Sequence, residues 1–234
     1  MLSLESISSP ARKTLGKVAY SKIREEIITL NFKPGQMLSE SELGSVLGVS
    51  RTPIREAFLM LVQEGLLEIL PQRGARVALI SEKRYAENMF VRESLEISAL
   101  KLVAKNWNSD DFRHKESEQK AVELLEKQQT AALKGDHVEF LQYDELFHSV
   151  FLKLVENETL VTVVSQMKAH LNRVRYLEFN TPNHMENVVS EHQGIFNSIT
   201  SNDEEKTEEL LRRHFYKKEG LPKVIKMFPD YFTA

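Results

Sequence analysis

Cysteine is absent from this 234-residue chain, which excludes disulfides, cysteine-held iron–sulfur clusters and thiolate zinc sites. Any metal has to be held by imidazole and carboxylate groups. Also missing is a run of about eighteen apolar residues, so no membrane-spanning helix is expected, and the segment through Lys17 lacks the apolar stretch of a secretory signal. A cytoplasmic protein without membrane contact follows as the expectation. Strand signals are nearly absent after residue 82, and no internal repeat is visible. What remains is the composition of an ordinary soluble protein, 41% hydrophobic and 28% charged, long enough for one large core or two smaller ones.

Negative charge is in slight excess, with 34 acidic against 31 basic side chains, which argues against a protein that coats nucleic acid along its whole surface. The charge is unevenly divided. Residues 1–80 carry ten Lys/Arg and eight Asp/Glu, whereas the rest carry 21 and 26. That contrast permits nucleic-acid binding in front by a few placed arginines.

Residues 1–17 show no periodicity and read as a mobile arm. A helix is expected over about 18–30, with Tyr20, Ile23, Ile27 and Leu30 on one stripe, before the Pro34-Gly35 turn. Ser39 and Glu42 match a capping box that opens a short helix to Leu47. Gly48 connects to a further helix that Ser50 opens in the same way, with Pro53 near its start and Ile54, Ala57, Phe58 and Leu61 as its buried stripe. Two strands, 66–70 and 75–80, flank the turn Pro71-Gln72-Arg73-Gly74. Three helices and a hairpin over 18–80 are the order of a winged helix-turn-helix. From residue 82, helical periodicity predicts helices over 82–107, 110–134, 136–155, 157–179, 185–200 and 203–217. The expected fold is therefore mainly α, a winged helix-turn-helix followed by an antiparallel six-helix bundle over 82–218 and a tail over 219–234.

In a helix-turn-helix the second helix enters the major groove by its N-terminal residues. Arg51 and Arg55 lie one turn apart there, placed to fork onto guanine or to clamp phosphate. Ser50 and Thr52 are short donors suited to phosphate beside the helix N-terminus. Arg73, Gly74 and Arg76 are placed at the hairpin tip, within reach of a minor groove. A solvated helix face is the plain alternative for the arginines alone; the ordered pattern of caps, turn and basic hairpin favours DNA.

The second half carries a different chemistry. Asp144 and His148 stand one helical turn apart on a helix that is apolar around most of its circumference. His192 and His214 each sit in an apolar stripe. They are about eight residues before and about eleven after the Ser201-Asn202 break, so at ~1.5 Å per residue their heights differ by ~5 Å. Asp144, His148, His192 and His214 thus form a candidate site for one divalent ion, zinc first, with nickel, manganese, cobalt or iron also able to take such ligands. Hydrogen-bonded core histidines are the competing reading. His170 reads as core, and His114, His137 and His184 fall near element ends.

The runs Pro34–Leu43, Leu47–Ala57 and Leu61–Leu67 resemble the winged-helix domain of the GntR family of bacterial transcription regulators. The resemblance implies that Arg51 and Arg55 contact operator DNA, that Gly74 belongs to a wing entering the minor groove, and that Arg24 meets a phosphate. Where Ser41 stands, some members carry a DNA-contacting arginine. Val91–Glu96, Asp144–His148, Glu191–Ile195 and His214 resemble the FCD effector domain of the FadR subgroup. That likeness places Asp144, His148, His192 and His214 on metal-ligand positions, and it implies a small organic acid as effector, with Arg92, Arg173 and Arg175 as pocket candidates. It further implies a homodimer on palindromic double-stranded operator DNA, most simply a repressor relieved by the acid. A purely structural metal is one alternative. Metal-dependent catalysis on a small carboxylate is the other, disfavoured because no His-Glu-x-x-His arrangement fixes a general base.

Overall fold

The computed structural model describes residues 12–71, 73–216 and 220–233. The chain divides into two compact units, one formed by the described residues through Glu82 together with those from Ile225 onward, the other by Lys83–Val224.

The first unit contains α1 (Arg12–Ile28), β1 (Met37–Leu38), α2 (Glu40–Leu47), α3 (Arg51–Gln63), β2 (Leu67–Leu70) and β3 (Gly74–Val77). Residues 12–17, expected in the arm, are already helical; the remainder of the arm lies outside the described residues. The core is formed where Ala19, Ile23 and Ile27 of α1 meet Ile54, Ala57, Phe58 and Leu61 of α3, all essentially solvent-free. Ala19, rather than the expected Tyr20, occupies the inner position. Tyr20 instead donates its hydroxyl hydrogen to Glu64. The hairpin strands pair antiparallel from Leu67 with Val77 to Leu70 with Gly74, and β1 adds a third strand in the order β1-β3-β2.

Two glycines set the geometry of this unit. Gly48 ends α2 at φ 69° and donates its amide back into that helix, a left-handed cap that glycine adopts without a Cβ clash. Gly44 is needed for closeness instead: a Cβ there would lie 2.9 Å from the backbone oxygen of Val49. Helices α2 and α3 are therefore joined by a turn packed against bare backbone. Ser39 caps α2 through the Glu42 amide at 3.5 Å. Ser50 occupies the cap position of α3 but its side chain makes no cap hydrogen bond, a departure from the expected box that leaves the hydroxyl outside the helix's own bonding.

The second unit holds the six expected helices, α4 (Glu82–Lys105), α5 (Phe112–Lys134), α6 (His137–Leu154), α7 (Glu158–Glu178), α8 (His184–Thr200) and α9 (Glu204–Phe215). Asp111, Asp136, Asn157 and Asp203 each accept from backbone amides in the first turn of the following helix, satisfying donors that a helix start otherwise leaves open. Phe147, Phe151, Leu100, Ile195, Ile199 and Leu211 centre the core. α6 is less enclosed than its composition suggests, since Leu146 is 47% exposed. A further short helix, α10 (Gly220–Met227), and a 3-10 turn at Pro229–Tyr231 occupy the stretch expected as a tail.

Replacing Gly44 with Ala is expected to destabilise the first unit by about 1–3 kcal/mol, the range for overpacking a fixed interior. The check is urea unfolding of the intact chain; an unchanged midpoint would show that the turn yields freely.

Candidate metal centre, effector pocket and DNA-reading face

His148 on α6, His192 on α8 and His214 on α9 each offer a ring nitrogen within 4.8 Å of the others. All are buried, His148 and His192 completely. Their outer contacts fix which nitrogen faces inward. Gln128 of α5 donates its amide to the Tyr143 carbonyl at 3.3 Å, so its oxygen faces His192 and accepts from Nδ1 at 2.7 Å. That leaves the lone pair on His192 Nε2. His214 donates Nδ1–H to Glu191 Oε2 at 2.7 Å, and His148 Nδ1 lies 3.0 Å from Glu96 Oε2. An outer acceptor on one imidazole nitrogen, leaving the other for a metal, is how ligating histidines are oriented.

Asp144 is solvent-free on α6, with Oδ1 3.6 Å from His192 Nε2 and Oδ2 ion-paired to Arg175. Among the described residues Asp144 Oδ1, His148 Nε2 and His192 Nε2 are buried without a hydrogen-bond partner. Orphaned buried acceptors are costly, and a divalent cation would satisfy all of them at once. Two nitrogens and one carboxylate oxygen in that condition, with His214 beside them, fit a metal of the zinc, nickel, cobalt, iron or manganese group. Burial pulls His192 well below the usual imidazole range, which keeps it the neutral base a metal requires. Burial alone would raise the Asp144 carboxyl, but Arg175, His192 and His148 together hold it well below its usual range. Asp144 therefore stays ionised.

Beside this cluster lies a cavity of about 190 Å³ lined by Tyr85, Arg92, Arg175, Glu178, His214 and Phe215, among others. His214 belongs to both, so the cavity reaches the histidine cluster. Arg92 is 3% exposed; its Nε donates to Glu96 Oε1 at 2.7 Å and its guanidinium sits 4.8 Å from the Phe215 ring centre. Arg175 reaches the cavity while paired to Asp144. Arg173 is buried elsewhere in α7 and is not among the cavity-lining residues, which separates it from the other two expected pocket arginines. Helical geometry explains the split: two residues apart on a helix is about 200°, so Arg173 and Arg175 point to opposite sides. His184, expected at an exposed helix end, lines the cavity.

Sequence reasoning did not identify Glu96 or Gln128 as supports. Burial would raise the Glu96 carboxyl, but Arg92 and His148 outweigh it and hold it well below the usual range. Its signal was the Arg92-x-x-x-Glu96 spacing, one helical turn. Gln128 lies 64 residues from His192, and no local pattern joins them.

On the first unit, Ser50, Arg51, Thr52 and Arg55 form an exposed row at the start of α3. Arg55 is held bidentately by Glu40 of α2, Nε and Nη2 donating at 3.0 and 2.8 Å. Arg24 is half-buried, with Nε bonded to Glu64 Oε2 at 3.0 Å, so α1 and the end of α3 hold it in place. Arg73 and Gly74 occupy the exposed hairpin turn. Gly74 has φ 96°, and a Cβ there would meet the Leu38 carbonyl oxygen at 2.9 Å. Arg76, expected at the tip, stands opposite Glu68 within the strands and pairs with it at 2.7 Å. The turn closes at Gly74, two residues earlier.

Comparison with known proteins agrees with both halves. The family of bacterial regulatory proteins called gntR matches residues 15–77, and the FCD domain matches residues 87–217. An uncharacterized HTH-type transcriptional regulator in an unstable DNA locus of Streptomyces ambofaciens is 33% identical over 197 residues, covering 83% of this chain and 79% of that protein. The HTH-type transcriptional repressor RspR of Escherichia coli is 26% identical, covering 92% of each. Among solved structures, E. coli McbR/YncC superposes with a TM-score of 0.76 at 20% identity, over 95% of this chain and all of that one. Among the described residues no helix is long and apolar enough to cross a membrane.

Removing the amide behind His192 by Gln128→Leu is expected to lower metal affinity about 10–100-fold, the usual effect of losing an outer-shell partner, while His192→Ala should remove most bound metal. Metal analysis after dialysis, with competition against a chromogenic chelator, measures both. Unchanged metal content in His192→Ala would refute the assignment.

Proposed function

Because the chain belongs to the GntR family of bacterial regulatory proteins and carries an FCD domain, we propose that it is a metal-assisted sensor of a small organic acid that represses transcription until the acid binds. DNA-binding transcription regulation is the function of the family and of the relatives it resembles; the acid, the metal and the sign of the response are the proposal. The observation that carries it is the adjoining of two features: inward-facing histidine nitrogens and a cavity lined by two arginines.

One divalent ion per subunit, zinc first, would be held by His148, His192, His214 and Asp144. When bound, such an ion supplies open coordination positions for a carboxylate. Arg92 and Arg175 orient that carboxylate from the cavity side, and their fixed pairing with Glu96 and Asp144 holds each guanidinium in position before the acid arrives. Phe215 provides an apolar wall for the remainder of the ligand.

On the output side, Arg51 enters the major groove from the first turn of α3, with Ser50 and Thr52 on flanking phosphates. Arg55 has Nε and Nη2 committed to Glu40 and keeps its Nη1 edge for guanine or phosphate. Arg73 and Gly74 form the wing at the minor groove, and Arg24 offers a phosphate contact from beside Glu64. A homodimer in the cytoplasm meets a palindromic operator with two such readers, since one alone makes few base contacts. Release requires that the acid bind the DNA-competent and DNA-incompetent states with different affinity.

An operator selected from a random duplex pool, titrated with zinc-loaded protein across a panel of small organic acids, tests the reading. At least one acid is expected to weaken binding tenfold or more, and Arg92→Lys, which keeps a positive charge for Glu96 but loses the planar fork, should diminish that response while zinc and operator binding persist. If every acid leaves operator affinity unchanged, the inducible switch is wrong. Arg51→Ala is expected to cost about 1–3 kcal/mol of operator binding, the worth of one bidentate base contact, measured at fixed salt.

A further inference from the structure

Helices α8 and α9, which carry His192 and His214, pack as a hairpin across the Ser201-Asn202 turn. Their contacts include three rungs. Nearest the turn, Thr207 Oγ1 lies 2.8 Å from Ser198 Oγ. In the middle, Leu210 leans on Gly194, its Cδ1 3.6 Å from where a Cβ would stand. Farthest out, His214 donates Nδ1–H to Glu191 Oε2 at 2.7 Å. Each rung lies three or four residues from the last on both helices, the spacing of one helical face, so a single register runs from the turn to the histidines.

The first rung is polar and dry. Thr207 and Ser198 are both buried, and so are their apolar neighbours one turn away, Leu211 and Ile195. Apolar contacts tolerate a small slide of one helix along another; a hydrogen bond weakens steeply with angle and distance. Each hydroxyl has one hydrogen to give. Ser198 Oγ is also 2.8 Å from the Ile195 carbonyl oxygen, and Thr207 Oγ1 is 2.7 Å from that of Asp203. Two proton arrangements therefore satisfy the group: Thr207 donates to Ser198 while Ser198 donates to Ile195, or Ser198 donates to Thr207 while Thr207 donates to Asp203. The bond between the helices is kept in both.

We infer that Ser198 and Thr207 are positioning residues for the metal centre: their buried hydrogen bond sets the register of α8 against α9, and with it the approach of His192 to His214. The inference rests on the metal-site reading above. His192 lies six residues before Ser198 and His214 seven after Thr207, so at ~1.5 Å per residue their heights differ by only ~1.5 Å. Their ring centres are 4.8 Å apart. The turn, where Asp203 donates its amide to the Ser198 carbonyl at 3.0 Å, fixes where the two helices meet. A second fixed point farther into α9 is needed to set its rotation, since a slip of one residue swings a side chain by about 100°. Metal ligation demands distances good to about 0.2 Å, a tolerance that sliding apolar contacts do not enforce.

The test uses the full-length protein, with zinc and cobalt(II) as probes. Ser198→Ala leaves the Thr207 hydroxyl its bond to Asp203, and Thr207→Val leaves the Ser198 hydroxyl its bond to Ile195, so neither change strands a buried donor. Each is expected to lower zinc affinity about 3–10-fold, the factor that one neutral hydrogen bond is worth, and to alter the cobalt(II) visible spectrum, which reports ligand geometry. Thr207→Ser keeps the hydroxyl and should retain the native spectrum and, within about twofold, the native affinity. The double variant removes the same bond once, so its loss should match the larger single loss rather than the product of the two. Where urea unfolding of the metal-free chain shows that Thr207→Val does not fold, Ser198→Ala decides. Native zinc affinity and a native cobalt(II) spectrum in the single variants overturn the positioning role while leaving the metal centre standing. A loss that Thr207→Ser shares, or one that multiplies in the double variant, does the same. A native chain that binds neither ion overturns the metal centre and the positioning role together.

Discussion

Two carboxylates that have lost all contact with solvent tie the second unit together: Glu96 joins Arg92 to His148, and Asp144 joins Arg175 to His192. In each chain a cavity arginine lies at one end and a histidine of the candidate metal centre at the other. Burying an ionised carboxylate in an apolar bundle costs several kcal/mol after relaxation. The bundle tolerates it because each acid has a guanidinium against one oxygen, and because the arginine supplies a charge that stays protonated throughout the accessible pH range. Leucine in place of either acid would pack well and would leave a buried arginine without its counter-charge.

The apolar core is arranged around this requirement. Phe147 stacks on His192 with ring centres 4.5 Å apart, and Phe215 lies beneath Arg92, so the aromatic groups that exclude water also hold the polar groups to one orientation. Low local dielectric strengthens each ion pair and makes each unpaired atom expensive. Such a site is stable only if nearly every member is satisfied. Asp144 Oδ1 and the Nε2 atoms of His148 and His192 are among the exceptions in the described residues, and these three cluster with His214 at the point where a cation would serve them all.

The DNA-reading unit solves a different problem with surface chemistry. For the proposed DNA contacts Arg55 and Arg24 must be accessible yet directed, and Glu40 and Glu64 restrict the exposed Arg55 and the half-buried Arg24. Such solvent-accessible pairs contribute little stability; their effect is to limit the conformations a long side chain samples.

Much of this was legible in the sequence wherever a local period encodes it. The six bundle helices emerged within a few residues of their ends because apolar spacing and Asp, Asn or Gly caps are local signals, and His148, His192 and His214 stood out as polar interruptions of apolar stripes. What remained hidden depends on contacts across the fold. Gln128 acquires its role only when α5 meets α8, and Arg173 and Arg175 are separated only by which side of α7 faces the cavity. Arg76 was placed at the tip because strand boundaries are weak in sequence, whereas the turn is fixed by the backbone approach at Gly74. The C-terminal segment was read as a tail because its burial is against Ile80, some 150 residues away, and β1 was missed because two residues carry no period at all.

The pairing of carboxylates also constrains how an incoming acid can act. Each arginine in the cavity is already neutralised from behind, so a ligand carboxylate approaching Arg92 or Arg175 competes with Glu96 or Asp144 for the same guanidinium. Any lengthening of those pairs alters the carboxylate that faces the histidine on the other side. In the proposed function the effector's charge would be shared between arginine and metal, which would couple the two, and His214 lies at the end of α9 beside them. In that proposal, differential affinity for two arrangements of α9 would follow from charge competition over a few ångströms, with no large deformation of the bundle core.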